Sequence, residues 1–484
     1  MNTNPKHQIP NTKEPSNSKP RNSRTDGALF GIWRLVFIWC LVFGVWCFGL
    51  SSATLGGETN VSKALPIDLP TTLRLAGAQN LDVKIAEERL REAKANHQGA
   101  LAQFFPWLSP GVIYRQHDDK LQDVQGNIID VHKYSYAPGA TVGVQLELGD
   151  AIYKSLAAKQ LTRAADHALE AQRQDSVLAA ALGYFELVLA QNAVGVANEA
   201  VRISADYETQ LGSATEAGIA FKGDLLRARV QAERNRLTLR QTKEQQRIAA
   251  ARLAQVLHLD ATVALLAQAT ELAPLTLIET NAALDALVTQ SLASRPELKQ
   301  SQALVFAARE EKNGATYGPL IPTLGAQAFW GGLGGGHDGI GDTFGGQQDY
   351  LVGASWRVGP GGLFDMNRKR SAESRLKIAA FDSDKLQDNL TRQVVEEFTH
   401  WQSLTDQLGT VKRALAAAEE GLRLAQQRKE FAVGVVLETI QAEQELTRAR
   451  LDYLKAVADF DKSQYALSHA TGRLGNDTRE RTHP

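Results

Sequence analysis

The chain has 484 residues, and its 53 basic residues nearly balance 54 acidic ones, which leaves a formal net charge of −1. This balance excludes a strongly basic nucleic-acid-binding protein, and the length allows several structural units. The two cysteines, Cys40 and Cys47, both lie near the N-terminus, so a disulfide-rich scaffold is excluded as well.

Residues 1–53 are typical of a secretory signal peptide with a long n-region. Six basic residues precede an uncharged apolar run at 35–50, and the small residues at 51–53 suit cleavage. A retained signal anchor is the alternative, although this run is shorter than the ~20 residues that span a bilayer. Trp46 precedes Cys47 where lipoprotein processing needs a small residue, so lipidation is not expected. Residues 54–70 form a polar linker.

The first half of the remaining chain reads as helix, two strands, long helix and helix. A helix is predicted at 71–103 with Thr71 or Thr72 as its cap, and proline ends it in the segment FFPWLSPG. Alternation predicts strands at 108–117 and 137–148. Helical patterns follow at 151–211 and 224–258, and an irregular apolar connector ends this half.

The second half repeats this order. A helix is predicted at 282–313, with Pro296 marking a break or a fresh start, and strands are predicted at 323–330 and 350–358. The glycine-rich segment between these strands is expected to be a loop. A long helix at 363–433 and a last helix at 437–471 follow, and 473–484 is predicted to be a disordered tail. At ~1.5 Å per residue, the long helix would extend roughly 100 Å.

An internal repeat explains why the two halves share this order. The segment FPWL at 105–108 matches IPTL at 321–324, and Gly218 matches Gly434 at the same offset. The repeats are therefore assigned to 71–281 and 282–472. Such duplication is the first feature to establish before a fold is proposed.

The strands indicate a membrane protein. Each has 8–12 residues, near the ~9–11 that cross a bilayer when tilted, and the strands at 137–148 and 350–358 alternate apolar and polar residues as barrel strands do. Aromatic residues expected at the membrane interfaces are Trp107, Trp330, Tyr350 and Trp356. A membrane barrel must close because unpaired backbone groups are costly in lipid. Four strands cannot close, so three copies with twelve strands are expected.

Several segments then carry a family resemblance. They are VGASWRVGPGGLFDMNRKR at the strand-to-helix corner, SRPEL, AGIAFKGDLLRAR, and the final helix from AVGVVLETIQAEQEL to SHATG. In this duplicated order the chain resembles the TolC-like outer-membrane factors, the outer membrane efflux protein family. The fold implied is membrane all-α plus β-barrel: a trimeric 12-stranded barrel in the outer membrane, continued by an α-helical tunnel through the periplasm.

The resemblance also implies a function and partners. The expected role is a passive exit duct of a tripartite efflux pump or type I secretion system, in the outer membrane of a Gram-negative-type bacterium. The expected partners are two further copies of the chain, outer-membrane lipid, a periplasmic adaptor and an inner-membrane transporter. No enzymatic activity, cofactor, metal or nucleic acid is expected, and the cargo is not identified. The competing interpretation is a periplasmic adaptor or coiled-coil scaffold.

The resemblance assigns site residues at both ends of the tunnel. A pore constriction is expected at Glu438 and Gln441, with Asp224 as the counterpart in the first half. The alternatives are a helix-start carboxylate for Glu438 and a helix cap for Asp224. Adaptor-docking turns are expected at Gly218, Lys222, Gly434, Val435 and Leu437. The corner between barrel and tunnel is expected at Gly359, Pro360, Gly361 and Gly362.

No catalytic constellation accompanies these features. The ten histidines are scattered, without an HExxH motif or a Cys/His cluster. Residues 334–339 match GxGxxG, but they open no predicted helix, so a nucleotide site is not expected there. His337, Asp338 and Asp342 are interpreted as solvated loop residues rather than as a cation site.

Overall fold

The structure is a computed structural model that describes residues 65–260, 262–269, 271–278, 283–337, 340–430 and 436–474. The expected signal segment, most of the linker, most of the tail and residues 431–435 lie outside these ranges. The described helices are α1 (Leu69–Gln79), α2 (Leu81–Ala102), α3 (Leu148–Glu216), α4 (Lys222–Val256), α5 (Leu284–Ser294), α6 (Pro296–Tyr317), α7 (Met366–Glu430) and α8 (Val436–Ala470). The described strands are β1 (Leu65–Ile67), β2 (Trp107–His117), β3 (Lys120–Gln122), β4 (Ile128–Asp130), β5 (Lys133–Glu147), β6 (Leu265–Ala267), β7 (Thr323–His337) and β8 (Ile340–Ser355).

The helix predicted at 71–103 is two helices, joined at Asn80. The Asn80 side chain accepts a hydrogen bond from the Asp82 N–H at 2.8 Å and so caps α2. Its amide also donates to the carbonyl of Val256 at 2.9 Å, at the end of α4. The first cap differs too, because Asp68 rather than a threonine accepts the Thr71 N–H at 3.1 Å. Periodicity alone did not reveal this break because both helices keep their apolar faces on one side.

The second half breaks at the equivalent place. Helix α5 ends at Ser294, and α6 begins at Pro296, where a missing N–H leaves no hydrogen bond unmade. Both halves therefore contain a short helix, a longer helix, two long strands, a very long helix and a final helix. This common order is the structural form of the sequence repeat.

Four long strands, two from each half, form one antiparallel sheet in the order β2-β5-β7-β8. The register puts Leu108, Val142, Ala328 and Tyr350 in one cross-strand row. Residues with even numbers form an apolar face. The charged residues Arg115, Lys133, Glu147 and Asp349 of these strands lie on the opposite face, which we call the mixed face.

The glycine-rich segment expected to be a loop is instead strand. β7 continues to His337, which pairs with Ile340, and β8 starts there. Phe344 lies across the sheet from Gly334, and its ring stacks on Tyr136 with centroids 6.0 Å apart. Aromatic side chains therefore cover glycines of neighbouring strands, and this packing compensates for their weak β-propensity. Asp338 and the side chain of Asp342 lie outside the described residues.

The main core surrounds the middle of α3. Among the described residues, α3 is the one helix whose length and composition would suffice to cross a membrane. Part of that apolar surface is buried inside the protomer, where Leu187 and Val188 meet Leu253 of α4 and Val457 of α8. These four side chains are at most 1% exposed. The two halves of the chain thus share one core.

The connector after α4 is held by side chains of α8. Asp461 accepts the Leu275 N–H at 2.8 Å, and Gln464 accepts the Leu277 N–H at 2.7 Å. The Gln464 amide also donates to the carbonyl of Leu275 at 2.8 Å. These bonds satisfy backbone groups that belong to no helix or long strand.

A substitution at Gly149 tests a close approach between the two halves. A Cβ at this position would lie 2.1 Å from the carbonyl oxygen of Gly318. We expect Gly149→Ala to lower the free energy of unfolding by about 1–3 kcal/mol, because the backbones must move apart. Thermal unfolding of the purified protein measures the effect. Gly99→Ala, on an exposed helix position with open space around the new Cβ, should be neutral or stabilising, and equal effects of both variants would contradict the interpretation.

Candidate functional site

The turn between α3 and α4 is built around Gly218. This residue has φ +74°, and its N–H donates to the Thr215 carbonyl at 3.0 Å. The next N–H, that of Ile219, donates to the Ala214 carbonyl at 2.8 Å. This pair of bonds is the Schellman motif, which favours glycine because its backbone adopts positive φ without strain. A Cβ at Gly218 would meet no atom within 4 Å, so the requirement is conformational.

Large apolar side chains are exposed at this turn. Ile219 is 83% exposed and Phe221 is 75% exposed, and Lys222 beside them is also exposed. At the start of α8, Leu437 is 42% exposed. Gly434 and Val435 lie outside the described residues. An exposed apolar group of this kind at a helix turn is typical of a contact surface.

The residues predicted to form a constriction differ in their surroundings. Glu438 accepts a hydrogen bond from Arg428 at 2.6 Å, which links the end of α7 to the start of α8. Gln441 is exposed on the same helix. Asp224 is not a cap: Phe221 occupies that position, and Asp224 forms an ion pair with Arg227 at 3.2 Å in the first turn of α4.

Beneath the turn, α8 packs on both α3 and α4. Tyr207 and Leu211 of α3, Ala228 of α4 and Ile440 of α8 form a small buried cluster. Glu443 lies one turn further along α8 and is only 4% exposed. Sequence analysis did not single out Glu443, although it follows Ile440 by three residues on the buried stripe that includes Leu446. Burial raises the pKa of Glu443 to about 7.

The corner between β8 and α7 depends on two glycines and one carboxylate. Gly359 has φ +106° and Gly361 has φ +76°, and Pro360 lies between them. The Asp365 carboxylate accepts the Gly361 N–H at 2.8 Å and the Arg368 N–H at 3.0 Å, so it fixes the corner and caps α7. These backbone hydrogen bonds hold the pKa of Asp365 below its usual value. At Gly362, a Cβ would lie 2.1 Å from the Arg357 carbonyl oxygen.

One ion pair joins this corner to the equivalent corner of the first half. Arg368 of α7 donates to Asp150 of α3 at 2.8 Å. Beside the pair lies a cavity of about 390 Å³, which reaches the mixed face of the sheet at Glu147, Thr323 and Ser355. The mixed face and both corners therefore share one polar recess.

Two of the four predicted interfacial aromatics lie on the apolar face of the sheet. Trp330 donates to the Tyr350 hydroxyl at 3.0 Å, and both residues have even-numbered positions. Trp356 donates to the Leu320 carbonyl at 3.2 Å beyond the end of β8. Trp107 differs, because it pairs with Gly143 on the mixed face. Position near a strand in the sequence predicts an interfacial aromatic but does not give its face. Only the register of the sheet separates the two faces.

The motif SRPEL contacts the end of α8. The buried Arg295 donates to both carboxylate oxygens of Glu297, at 2.7 and 3.0 Å, and to the His469 carbonyl at 2.9 Å. His469 Nε2 lies 2.8 Å from Asp175 Oδ1 of α3. The sequence pattern alone assigns no role to Arg295 or His469, because their partners are distant in the chain.

Three side chains of this network have the spacing of metal ligands. Asp175, Glu297 and His469 each place one ligand atom within 4.8 Å of the others. The Arg295 guanidinium, however, already engages both oxygens of Glu297 and lies 3.4 Å from His469 Nδ1. A cation beside a fixed guanidinium is disfavoured. The arrangement is therefore best described as an ion-pair network that joins α3, α6 and α8.

Several known proteins are similar to this chain in sequence or in fold. The family model described as outer membrane efflux protein matches residues 287–473. No curated protein sequence matches the chain. Solved structures that share the fold include a membrane protein from Pseudomonas aeruginosa (17% identity, TM-score 0.72, covering 84% of this chain and 93% of that one). The Campylobacter jejuni CmeC outer membrane channel (14%, 0.70, 86% and 89%) and the Vibrio cholerae outer membrane protein VceC (17%, 0.68, 84% and 96%) are also similar.

Substitutions at Gly218 test the turn. We expect Gly218→Val to raise the amide exchange rates of the last turn of α3, since a β-branched residue at φ +74° costs roughly 1–2 kcal/mol. Gly218→Asn should be milder because asparagine tolerates this conformation. Hydrogen exchange read by mass spectrometry measures both variants, and unchanged exchange in Gly218→Val would refute the conformational requirement.

Substitutions at Arg295 test the ion-pair network. Its side chain is 4% exposed, and removing one partner of a buried pair typically costs about 3–5 kcal/mol. We expect Arg295→Ala to lower the free energy of unfolding by that order. The matched control is Arg423→Ala, which breaks an exposed pair with Glu420 and should cost at most about 1 kcal/mol. Chemical unfolding measures both variants. Similar losses in the free energy of unfolding would show that the buried pair of Arg295 contributes no more stability than an exposed pair.

Proposed function

We propose that this chain, whose residues 287–473 match the outer membrane efflux protein family model, is a member of that family and a passive exit duct in the bacterial outer membrane. Its sheet would cross the membrane, and its long helices would line a tunnel through the periplasm. The energy for transport would come from an inner-membrane transporter, reached through a periplasmic adaptor. The proposal includes both efflux and type I secretion, since the cargo would be selected by the transporter.

One observation carries this proposal: the four-stranded sheet has an exposed apolar face and two edge strands. Leu108, Val112 and Val352 on that face are 66%, 70% and 83% exposed. Among the described strands, β2 and β8 each have one neighbour in the sheet. Lipid cannot satisfy an open sheet edge, so further copies must supply the missing neighbours. We propose three copies and a closed barrel of twelve strands, whereas a coiled-coil scaffold would give this sheet no role.

The far end of the helices would form the periplasmic mouth. The exposed apolar residues of the α3–α4 turn and Leu437 support a docking surface for the adaptor, with Gly218 and Lys222 shaping the first turn and Gly434 and Val435 assigned to the second. Three copies of Glu438 and Gln441, with Asp224 nearby in the first half, would narrow the mouth around the axis. Glu438 is partly engaged by Arg428 within the protomer, so opening would involve this ion pair.

The remaining assignments follow from the same proposal. Residues 1–53 would direct export and then be removed, 54–70 would link them to the duct, and 473–484 would form a tail outside it. The repeats 71–281 and 282–472 would each contribute two strands to the barrel. Trp330, Tyr350 and Trp356 would contact lipid at the membrane interfaces, and the glycine corner at 359–362 would lie where barrel becomes tunnel.

Assembly and conduction test the proposed duct. We expect the full chain, extracted from membranes in detergent, to have the mass of three copies and to conduct ions in planar bilayers. Native mass spectrometry and bilayer recordings measure these properties. Recovery of a monomer from the periplasm without detergent would contradict the proposal.

Charged substitutions test the docking surface. We expect the double variant Ile219→Asp, Phe221→Asp to lose adaptor copurification and export at least tenfold, while its trimers still assemble, because burial of a charge disfavours an apolar contact. Export assays and crosslinked pull-downs measure the effect. Val124→Asp is the matched control, since Val124 is fully exposed in the turn between β3 and β4. Undiminished adaptor binding by the double variant would refute the surface.

A further inference from the structure

Glu443 is a carboxylate placed inside the protomer at the point where the two helical hairpins meet. It is 4% exposed, and its neighbours Thr439 and Ile440 on α8 are 7% and 6% exposed. Its Oε1 atom is buried and accepts no hydrogen bond from any described residue. An ionised carboxylate in such a position would pay a large desolvation cost.

No cation in the described part of the chain offsets this cost. On α3, the facing titratable group is the Tyr207 phenol, whose pKa is raised by burial and also by the charges of Asp224 and Glu443. On α4, the charge that also acts on Tyr207 is Asp224, which is acidic and already pairs with Arg227. The surroundings therefore favour the neutral form of Glu443, consistent with its raised pKa.

Three arginines of the adjoining helices α4 and α7 pair with other carboxylates. Arg428 of α7 pairs with Glu438, and Arg229 and Arg236 of α4 both contact Glu208 of α3. Contact between α8 and the α3–α4 hairpin near Glu443 includes the Tyr207–Ile440 cluster, a hydrogen bond between Tyr207 and Thr439, and a hydrogen bond from Gln444 to Gln231 at 2.5 Å. These contacts are largely apolar or neutral, so a charge at Glu443 would weaken them.

We propose that Glu443 is a proton-linked positioning residue that keeps α8 against α3 and α4 when protonated and favours their separation when ionised. The proposal rests on the proposed duct, because α8 begins at its periplasmic mouth. Separation would expose Glu443 to water, which solvates the carboxylate. Opening of the mouth would thus release one proton per protomer.

The direction of the pH effect follows from linkage. The pKa of Glu443 is about 7 in the packed state, against an ordinary value of 4.5 when exposed. The separated state binds fewer protons between these two pH values. Its population relative to the packed state therefore rises with pH, by up to about tenfold per pH unit for each protomer. The same sign applies to unfolding: the packed state is most favoured below the ordinary pKa and loses stability as pH rises towards about 7.

Hydrogen exchange of the purified full chain in detergent tests this proposal without requiring conduction. We expect amides at 436–446 to lose at least tenfold protection between about pH 5.5 and about pH 8, after correction for intrinsic exchange. The isosteric variant Glu443→Gln should remain protected at both pH values. The infrared absorbance of protonated carboxyl groups that is lost over this pH range should be smaller in Glu443→Gln than in the unsubstituted protein, by the contribution of one carboxyl per protomer, because Asp461 also titrates there.

Two control variants separate Glu443 from other acids. Glu445→Gln changes an exposed carboxylate on the same helix, and Asp461→Asn changes the other buried acid of α8, whose pKa is also raised by burial to about 7. Both should keep the pH response at 436–446. Equal responses of Glu443→Gln and the unsubstituted protein would overturn the proposal.

In bilayers, a channel that conducts without pH dependence would refute this inference but leave the duct intact, whereas a chain that never conducts would refute the duct.

Discussion

The burial of α3 is the constraint on which the rest of the structure depends. An isolated helix of this length gains little in water unless its apolar stripe is covered. The first half covers it in part with α2 and α4, and the second half adds α6 and α8. Neither repeat can therefore form the core alone, which explains why the duplicated unit occurs within one chain and why the central cluster draws residues from both halves.

Polar side chains make this shared core specific. Apolar surfaces of alanine-rich helices can slide, but a hydrogen bond with a fixed partner allows one register. Asn80 joins the start of α2 to the end of α4, and Arg295 joins α6 to α8. Asp461 and Gln464 of α8 hold the connector that follows α4. All three contacts lie where helices end or backbone groups lack regular partners, so each satisfies groups that packing alone would leave unpaired.

The two ends of the helices carry different physical demands. At the sheet, glycines with positive φ and the Arg368–Asp150 pair fix a sharp corner, which suits a junction that must keep its shape. At the other end, the turn exposes Ile219 and Phe221, and the acid Glu443 is buried in the contact beneath them.

The sequence by itself determined the features that repeat or alternate. Periodicity indicated the long helices, the offset between FPWL and IPTL indicated the duplication, and glycine at 218 indicated a helix end, because each depends on residues close in the chain. Only the tertiary structure decided that 331–337 is strand, that Trp107 lies on the mixed face and that Glu443 is buried. These properties depend on pairing between distant segments, whose register and burial no local pattern specifies.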